Sequence, residues 1–170
     1  MTADNPRERP WPDATLGTKG AVLAFLGFLH TTAVNKLVGL TEEQARHAPL
    51  PTSPSVSALG IVKHLTAVQR QHFQIHIGRA DLPALWSHDD TTAEFRIGPG
   101  ETVAGVVAAF DAEWATSRYT LAGADWTFPT EAYGRPVVIG RLVVDVLQET
   151  ARHVGQLDVV RELIDGSTGE

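Results

Sequence analysis

Val137-Val-Ile139-Gly-Arg-Leu142-Val-Val-Asp-Val146-Leu-Gln-Glu149-Thr-Ala-Arg-His153-Val-Gly-Gln-Leu157-Asp-Val-Val160-Arg-Glu-Leu-Ile164-Asp-Gly166 is the stretch whose reading decides the fold. Ile139, Leu142, Val146, Glu149, His153, Leu157, Val160 and Ile164 follow one another at steps of three or four, so all project from one face of an α-helix. The spacing predicts a helix from Val137 to about Asp165, with Gly166 as its stop signal. Glu149 and His153 interrupt the middle of the apolar stripe. An unpaired carboxylate in such a place costs several kcal/mol, so something must compensate it.

Two compensations fit. A divalent metal ion is one, because Glu-x-x-x-His sets two ligands one helical turn apart. A metal-free buried Glu–His ion pair is the other. On an exposed face the same pair would be an ordinary surface contact, but the apolar stripe is no place for one. A second helix shows a related anomaly. Ile61, Leu65, Val68 and Ile75 form its apolar face, with Lys63, Arg70 and Gln74 opposite, and His64, His72 and His76 fall on or beside the apolar side. His64 with Glu149 and His153 makes two imidazoles and one carboxylate. Three protein ligands with open positions suit a catalytic zinc site and also the ferrous facial triad. His72-x-x-x-His76 has ligand spacing too, but lies two to three turns beyond His64 and serves equally well as lining of the bundle's end. His30 is either a core or a site-facing residue, and His47 and His88 read as solvated loop residues. Asp145 and Gln156 stand near enough to Glu149 and His153 to orient a ligand, although Asp145 reads better as a solvated surface residue.

Working outward, Thr18 to Leu40 carries apolar residues at helical spacing, and Thr41-Glu-Glu-Gln44 is a capping-box pattern for a short helix. Ser55 or Ser57 caps the second long helix, which runs to about Gly78, and Glu101 to Ala122 forms the third. The connection from Arg79 to Gly100, with Trp86 and Phe95, is long enough to be a crossover or a cover over a site. Gly123 to Pro136 reads as a loop, and no stretch reads convincingly as a strand. The expected fold is therefore all-α, a four-helix bundle with one long crossover connection and the second and third long helices parallel. Residues 1–17, with Pro6, Pro10, Pro12 and Trp11, read as a flexible lead-in to a single domain over residues 18–166.

Composition narrows the chemistry. The 170 residues include no cysteine, which removes disulfides, thiolate metal sites and a cysteine nucleophile. A net charge of −6 argues against nucleic acid as a partner. The longest apolar run, Ala21 to Leu29, is about half of the ~20 residues that a membrane span needs. The N-terminus has no signal-peptide core, so a cytoplasmic location is expected. Glycine-rich nucleotide loops, a Gly-x-Ser-x-Gly elbow and His-Glu-x-x-His are absent.

The segment Glu149 to Gly166 resembles the C-terminal signature of the DinB-like metalloproteins. Ser55 to Phe73, with Val62-Lys-His64-Leu and Gln69-Arg-Gln-His-Phe, resembles that superfamily's second-helix motif, and Leu29 to Arg46 fits more loosely. The resemblance implies a four-helix bundle holding a divalent metal, zinc or nickel, through His64, Glu149 and His153. Bacillithiol transferases are three-histidine cousins. The glutamate version is similar to mycothiol-dependent maleylpyruvate isomerases and actinobacterial mycothiol transferases. It implies a thiol S-transferase or thiol-dependent isomerase acting on a small electrophile with mycothiol, and a homodimer. A metal-dependent hydrolase using bound water, and a non-catalytic metal-binding dimeric bundle, are the alternatives. Thiol dependence separates transferase from hydrolase.

Overall fold

Capping chemistry sets where the helices begin. Thr41 and Gln44 form a reciprocal capping box at the head of α2 (Glu42–Arg46). Ser57 accepts the Gly60 N–H at the head of α3 (Ala58–Gln69), and Thr102 accepts that of Gly105 at the head of α4 (Val103–Gly123). The computed structural model describes residues 5–87 and 89–169, so His88 lies outside the described residues. α1 spans Thr18–Asn35 and stops short of Leu40, because a turn with Gly39 at φ +79° redirects the chain. α5 spans Ile139–Asp165 and ends at Gly166, whose φ of +78° closes it as expected.

Two features depart from the sequence reading. The Gly123–Pro136 stretch is not all loop: β1 (Pro129–Ala132) and β2 (Arg135–Val138) pair antiparallel, with Ala132 opposite Arg135 across a Tyr133-Gly134 turn. A proline in each strand hides them, and a two-stranded hairpin tolerates both because each strand is an edge. The second departure is that α3 continues as a π-helix, Arg70–Ile77, closed by a Gly78 N–H to Phe73 carbonyl bond of 2.9 Å. The wider turn rotates the face, so Gln74, placed with the polar residues by α-periodicity, is buried against Ser117 of α4.

α3 packs against α4 and α5, and α1 against α5 and α4. The result is the expected all-α bundle, with the hairpin as its one small sheet among the described residues. Contacts advance in the same sense along α3 and α4: Lys63 meets Glu101 at the entry to α4, Arg70 meets Glu113, and Gln74 meets Ser117. These two helices therefore run in the same direction. Ahead of α1, Arg7 makes a bidentate pair with Asp111 and Trp11 stands edge-on to Phe25 and Phe28. The core divides in two. One cluster holds Val34, Leu59, Ile61, Leu65, Phe110, Val154 and Leu157; the other holds Leu26, Phe73, Trp114, Val143 and Val146. Each such buried aliphatic or aromatic side chain contributes about 1.5–3 kcal/mol. Along α5 the clusters are separated by Glu149, Thr150 and His153.

Candidate metal centre

α3 supplies His64 and α5 supplies Glu149 and His153, and the structure brings the three together. One ligand atom from each lies within 4.8 Å of the others. His153 Nε2 is 2.9 Å and His64 Nε2 3.5 Å from Glu149 Oε1, and the two imidazole rings meet edge-to-face with centroids 4.4 Å apart. His64 and His153 are buried; Glu149 is only partly so, because Thr150 takes the deepest position on that turn of α5. The sequence reading placed Glu149 as deep as its stripe neighbours, and the structure corrects that.

Each side chain is held from behind. His153 Nδ1 lies 2.7 Å from Gln156 Oε1 and its Nε2 2.9 Å from Glu149 Oε1, so a cation bound at Nε2 would leave Nδ1 to donate to Gln156. Gln156 thus takes the orienting role open to it in the sequence, whereas Asp145 pairs with Arg141. On the far side of His64, the buried carboxylate of Glu94 lies 2.9 Å from Nδ1, and Phe95 stacks on the ring at 4.2 Å. Both come from a short 3₁₀ turn, Ala93–Phe95, pressed onto α3 at Gly60. A Cβ at Gly60 would come within 2.5 Å of the Phe95 carbonyl oxygen, so only glycine admits the turn. Arg152, one face over, donates to both Glu149 oxygens at 2.8 and 2.9 Å. Sequence reasoning missed Glu94 and Arg152. Glu94 sits in a loop without periodicity, and Arg152 falls off the apolar stripe.

Electrostatics follow from these contacts. Burial opposes the charge on Glu149, but bonds from Arg152 and His153 outweigh it and hold the carboxyl below its usual range. Burial, reinforced by His64, lowers the His153 pKa, so its imidazole is neutral near pH 7. The donor set fits a divalent cation. It carries one negative charge, and neither His64 nitrogen has a hydrogen-bond partner in line among the described residues despite full burial.

The remaining candidates go elsewhere. His30 pairs with Asp111, His72 and His76 face Tyr133, and His47 is exposed at the end of α2. A cavity of about 660 Å³ lies between α1 and α4 among Val34, Leu37, Leu40 and Val107, with no imidazole in its wall. A smaller one of about 280 Å³ adjoins the triad through Glu94.

A helical bundle that converges a histidine of one helix and a Glu-x-x-x-His of another on one point defines the DinB-like class. Within it, the mycothiol S-transferase family model matches residues 21–166. The chain belongs to that family. Comparison with curated proteins finds none that matches.

Proposed function

We propose that this protein transfers mycothiol to a small electrophile at a divalent ion, zinc or nickel, held by His64, Glu149 and His153. The convergence of those three donors carries the reading, and membership of the mycothiol S-transferase family supports it. An ion held there by three protein ligands supplies a Lewis-acidic open position at which a thiol ionises near neutral pH. The protein's own part is to orient. Gln156 fixes which nitrogen of His153 is free, Glu94 and Phe95 fix the plane of His64, and Glu149 keeps its charge. A chain without cysteine runs thiol chemistry in this way by borrowing sulfur from a small cofactor. The location consistent with this reading is the cytoplasm, where small thiols stay reduced, and no helix among the described residues is long and apolar enough to cross a membrane.

The test is incubation of metal-loaded protein with mycothiol and monochlorobimane or maleylpyruvate. Conjugation or isomerisation is expected, lost on chelation and in Glu149→Ala, with glutathione a poor substitute. Failure of mycothiol to bind or to support turnover across a broad electrophile panel overturns the reading, and thiol-independent hydrolysis would replace it.

A further inference from the structure

The cavity beside the triad has an organisation that the metal ligands do not explain. Val68, Gln71, His72, Trp86, Glu94 and Tyr133 line it. None of the three ligands lines it, but it reaches Glu94, 2.9 Å from His64 Nδ1, and runs two turns along the same helix to His72, which is close enough to feel the charge of Glu149. His72 Nδ1 donates to the Val68 carbonyl at 2.9 Å, so the lone pair of Nε2 points at the Tyr133 hydroxyl, 3.4 Å away. The Tyr133 ring stands edge-on to His76 at 4.7 Å. One end of the Gln71 amide bonds His76 Nε2 at 2.9 Å, while its Oε1 is buried with no partner among the described residues.

Tyr133 reaches this position at a conformational cost. It has φ +54° and occupies the first place of a two-residue hairpin turn, where Asn, Asp or Gly is at ease. A bulky side chain there costs on the order of 1–3 kcal/mol, and such strain concentrates at functional sites. Desolvation, with the negative charges of Glu94 and Asp145, raises its pKa above the usual 10.0, so the phenol keeps its proton near pH 7.

We propose that this cavity binds the electrophile and that Tyr133 is its proton donor, so that the favoured substrates are small epoxides, whose attacked carbon releases an alkoxide. The proposal rests on the thiol-transfer reading and deepens it. The sulfur lone pair forms the C–S bond, the ring C–O bond breaks with its electron pair on oxygen, and that oxygen takes the Tyr133 proton. The proton released when the thiol ionises returns to the half-exposed phenolate through solvent, so the phenol is restored. His72, as a neutral acceptor, keeps the hydroxyl aimed into the cavity between turnovers. A chloride leaving group departs as a stable anion and draws far less on a proton donor.

The test compares styrene oxide with monochlorobimane in wild type and Tyr133→Phe, which keeps the ring contacts and is expected to melt at the wild-type temperature. The ratio of kcat/KM for the epoxide to that for the bimane should fall at least about tenfold in the variant, the lower reach of general-acid catalysis being roughly a hundredfold. Calorimetric titration of protein without added metal with acetophenone, an unreactive carbonyl of similar size, should show several-fold weaker binding in Tyr133→Phe. Equal losses on both electrophiles, equal acetophenone affinity, or wild-type turnover of the bimane with none of the epoxide overturns the proposal. If neither electrophile reacts while acetophenone binding still depends on Tyr133, the thiol-transfer reading falls and the cavity assignment stands.

Discussion

Two of the bundle's histidine–carboxylate contacts are each gripped by an arginine, and the two places differ in what is left over. Between α1 and α4, His30 Nε2 is 2.9 Å from Asp111, which Arg7 grips at 2.7 and 2.8 Å. Between α3 and α5, His153 Nε2 is 2.9 Å from Glu149, which Arg152 grips at 2.8 and 2.9 Å. The motif is the same: imidazole, carboxylate, guanidinium. In the first, the His30 ring stacks with Phe110 and Trp114, one imidazole meets one acid, and His30 Nδ1 alone is left without a partner among the described residues. In the second, a further imidazole arrives whose two nitrogens are both without an in-line partner among the described residues. A metal-free histidine–carboxylate contact, the rival to a metal centre as an explanation of Glu149–His153, is thus seen at His30–Asp111. A surplus of donors, not the buried pair itself, makes the second place the candidate site.

The largest expected effect tests that distinction directly. Wild-type protein purified without a metal-affinity resin should carry nearly one zinc, nickel or similar ion per chain by elemental analysis. His64→Ala and His153→Ala should each weaken binding well beyond the 10–100-fold typical of losing a group behind a ligand, while His30→Phe leaves it unchanged. Metal present at a thousand times its Kd should stabilise the fold by about 4 kcal/mol. At roughly 2–4 °C per kcal/mol for a domain of this size, the melting temperature should shift clearly. Full metal occupancy in all the triad variants, or an unchanged melting temperature after confirmed chelation, would erase the difference between the two places.

The next effect concerns what stands behind His64. Glu94→Gln keeps the shape but removes the charge facing Nδ1, and metal affinity should fall roughly 10–100-fold. Gly60→Ala should act in the same direction, because its Cβ would push the Phe95 carbonyl, and with it Glu94, off α3. Affinity measured by competition with a chromophoric chelator decides both. No change in Glu94→Gln would make Glu94 a bystander.

How much of this was readable beforehand follows from which residues carry a period. The triad was legible because His64, Glu149 and His153 replace apolar residues in two α-helical stripes. The helix starts were legible because Ser57 and the Thr41–Gln44 box are local chemistry. The hairpin, Glu94 and Tyr133 were not. Each depends on a tertiary approach, the turn at Gly60 or the strained Tyr133-Gly134 corner, that leaves no repeat in the chain. The π-helix defeated the reading of Gln74 for the complementary reason: a period existed, but it was the wrong one after Arg70.

The His30 pair gives a smaller effect with a definite sign. Burial lowers the His30 pKa below its ordinary 6.5, against the opposing pull of Asp111 and aided by Arg7 and Arg118. Below pH 6.5 the unfolded chain therefore binds a proton that the folded one refuses. Stability is fully present above that pH and declines as pH falls toward the lowered folded value, by at most about 1.4 kcal/mol per pH unit from this one group. Urea unfolding of metal-free protein between pH 7.5 and about 5 should show a shallower pH slope in His30→Phe than in wild type. An identical slope would mean that His30 titrates freely, and the first place would lose its standing as a closed structural pair.

The smallest effect is the most diagnostic of how the two places differ. Arg152 holds Glu149 from a side chain that is 53% exposed, and its Nη2 also stands 3.5 Å from His153 Nε2. Exposed pairs of this kind are worth about 0.2–1 kcal/mol. A divalent ion held by the triad would therefore displace the guanidinium at little cost, and removing the arginine should return that cost to binding. Arg152→Ala should tighten metal affinity by up to about fivefold. Arg7→Ala, which removes the matching guanidinium from Asp111, should leave metal affinity unchanged and lower stability instead, because the Arg7 side chain ties the segment before α1 to Asp111 of α4. Weaker metal binding in Arg152→Ala would reverse the assignment: Arg152 would then belong to the site as a partner of Glu149, and the two arginines would be doing the same job at both ends of the comparison.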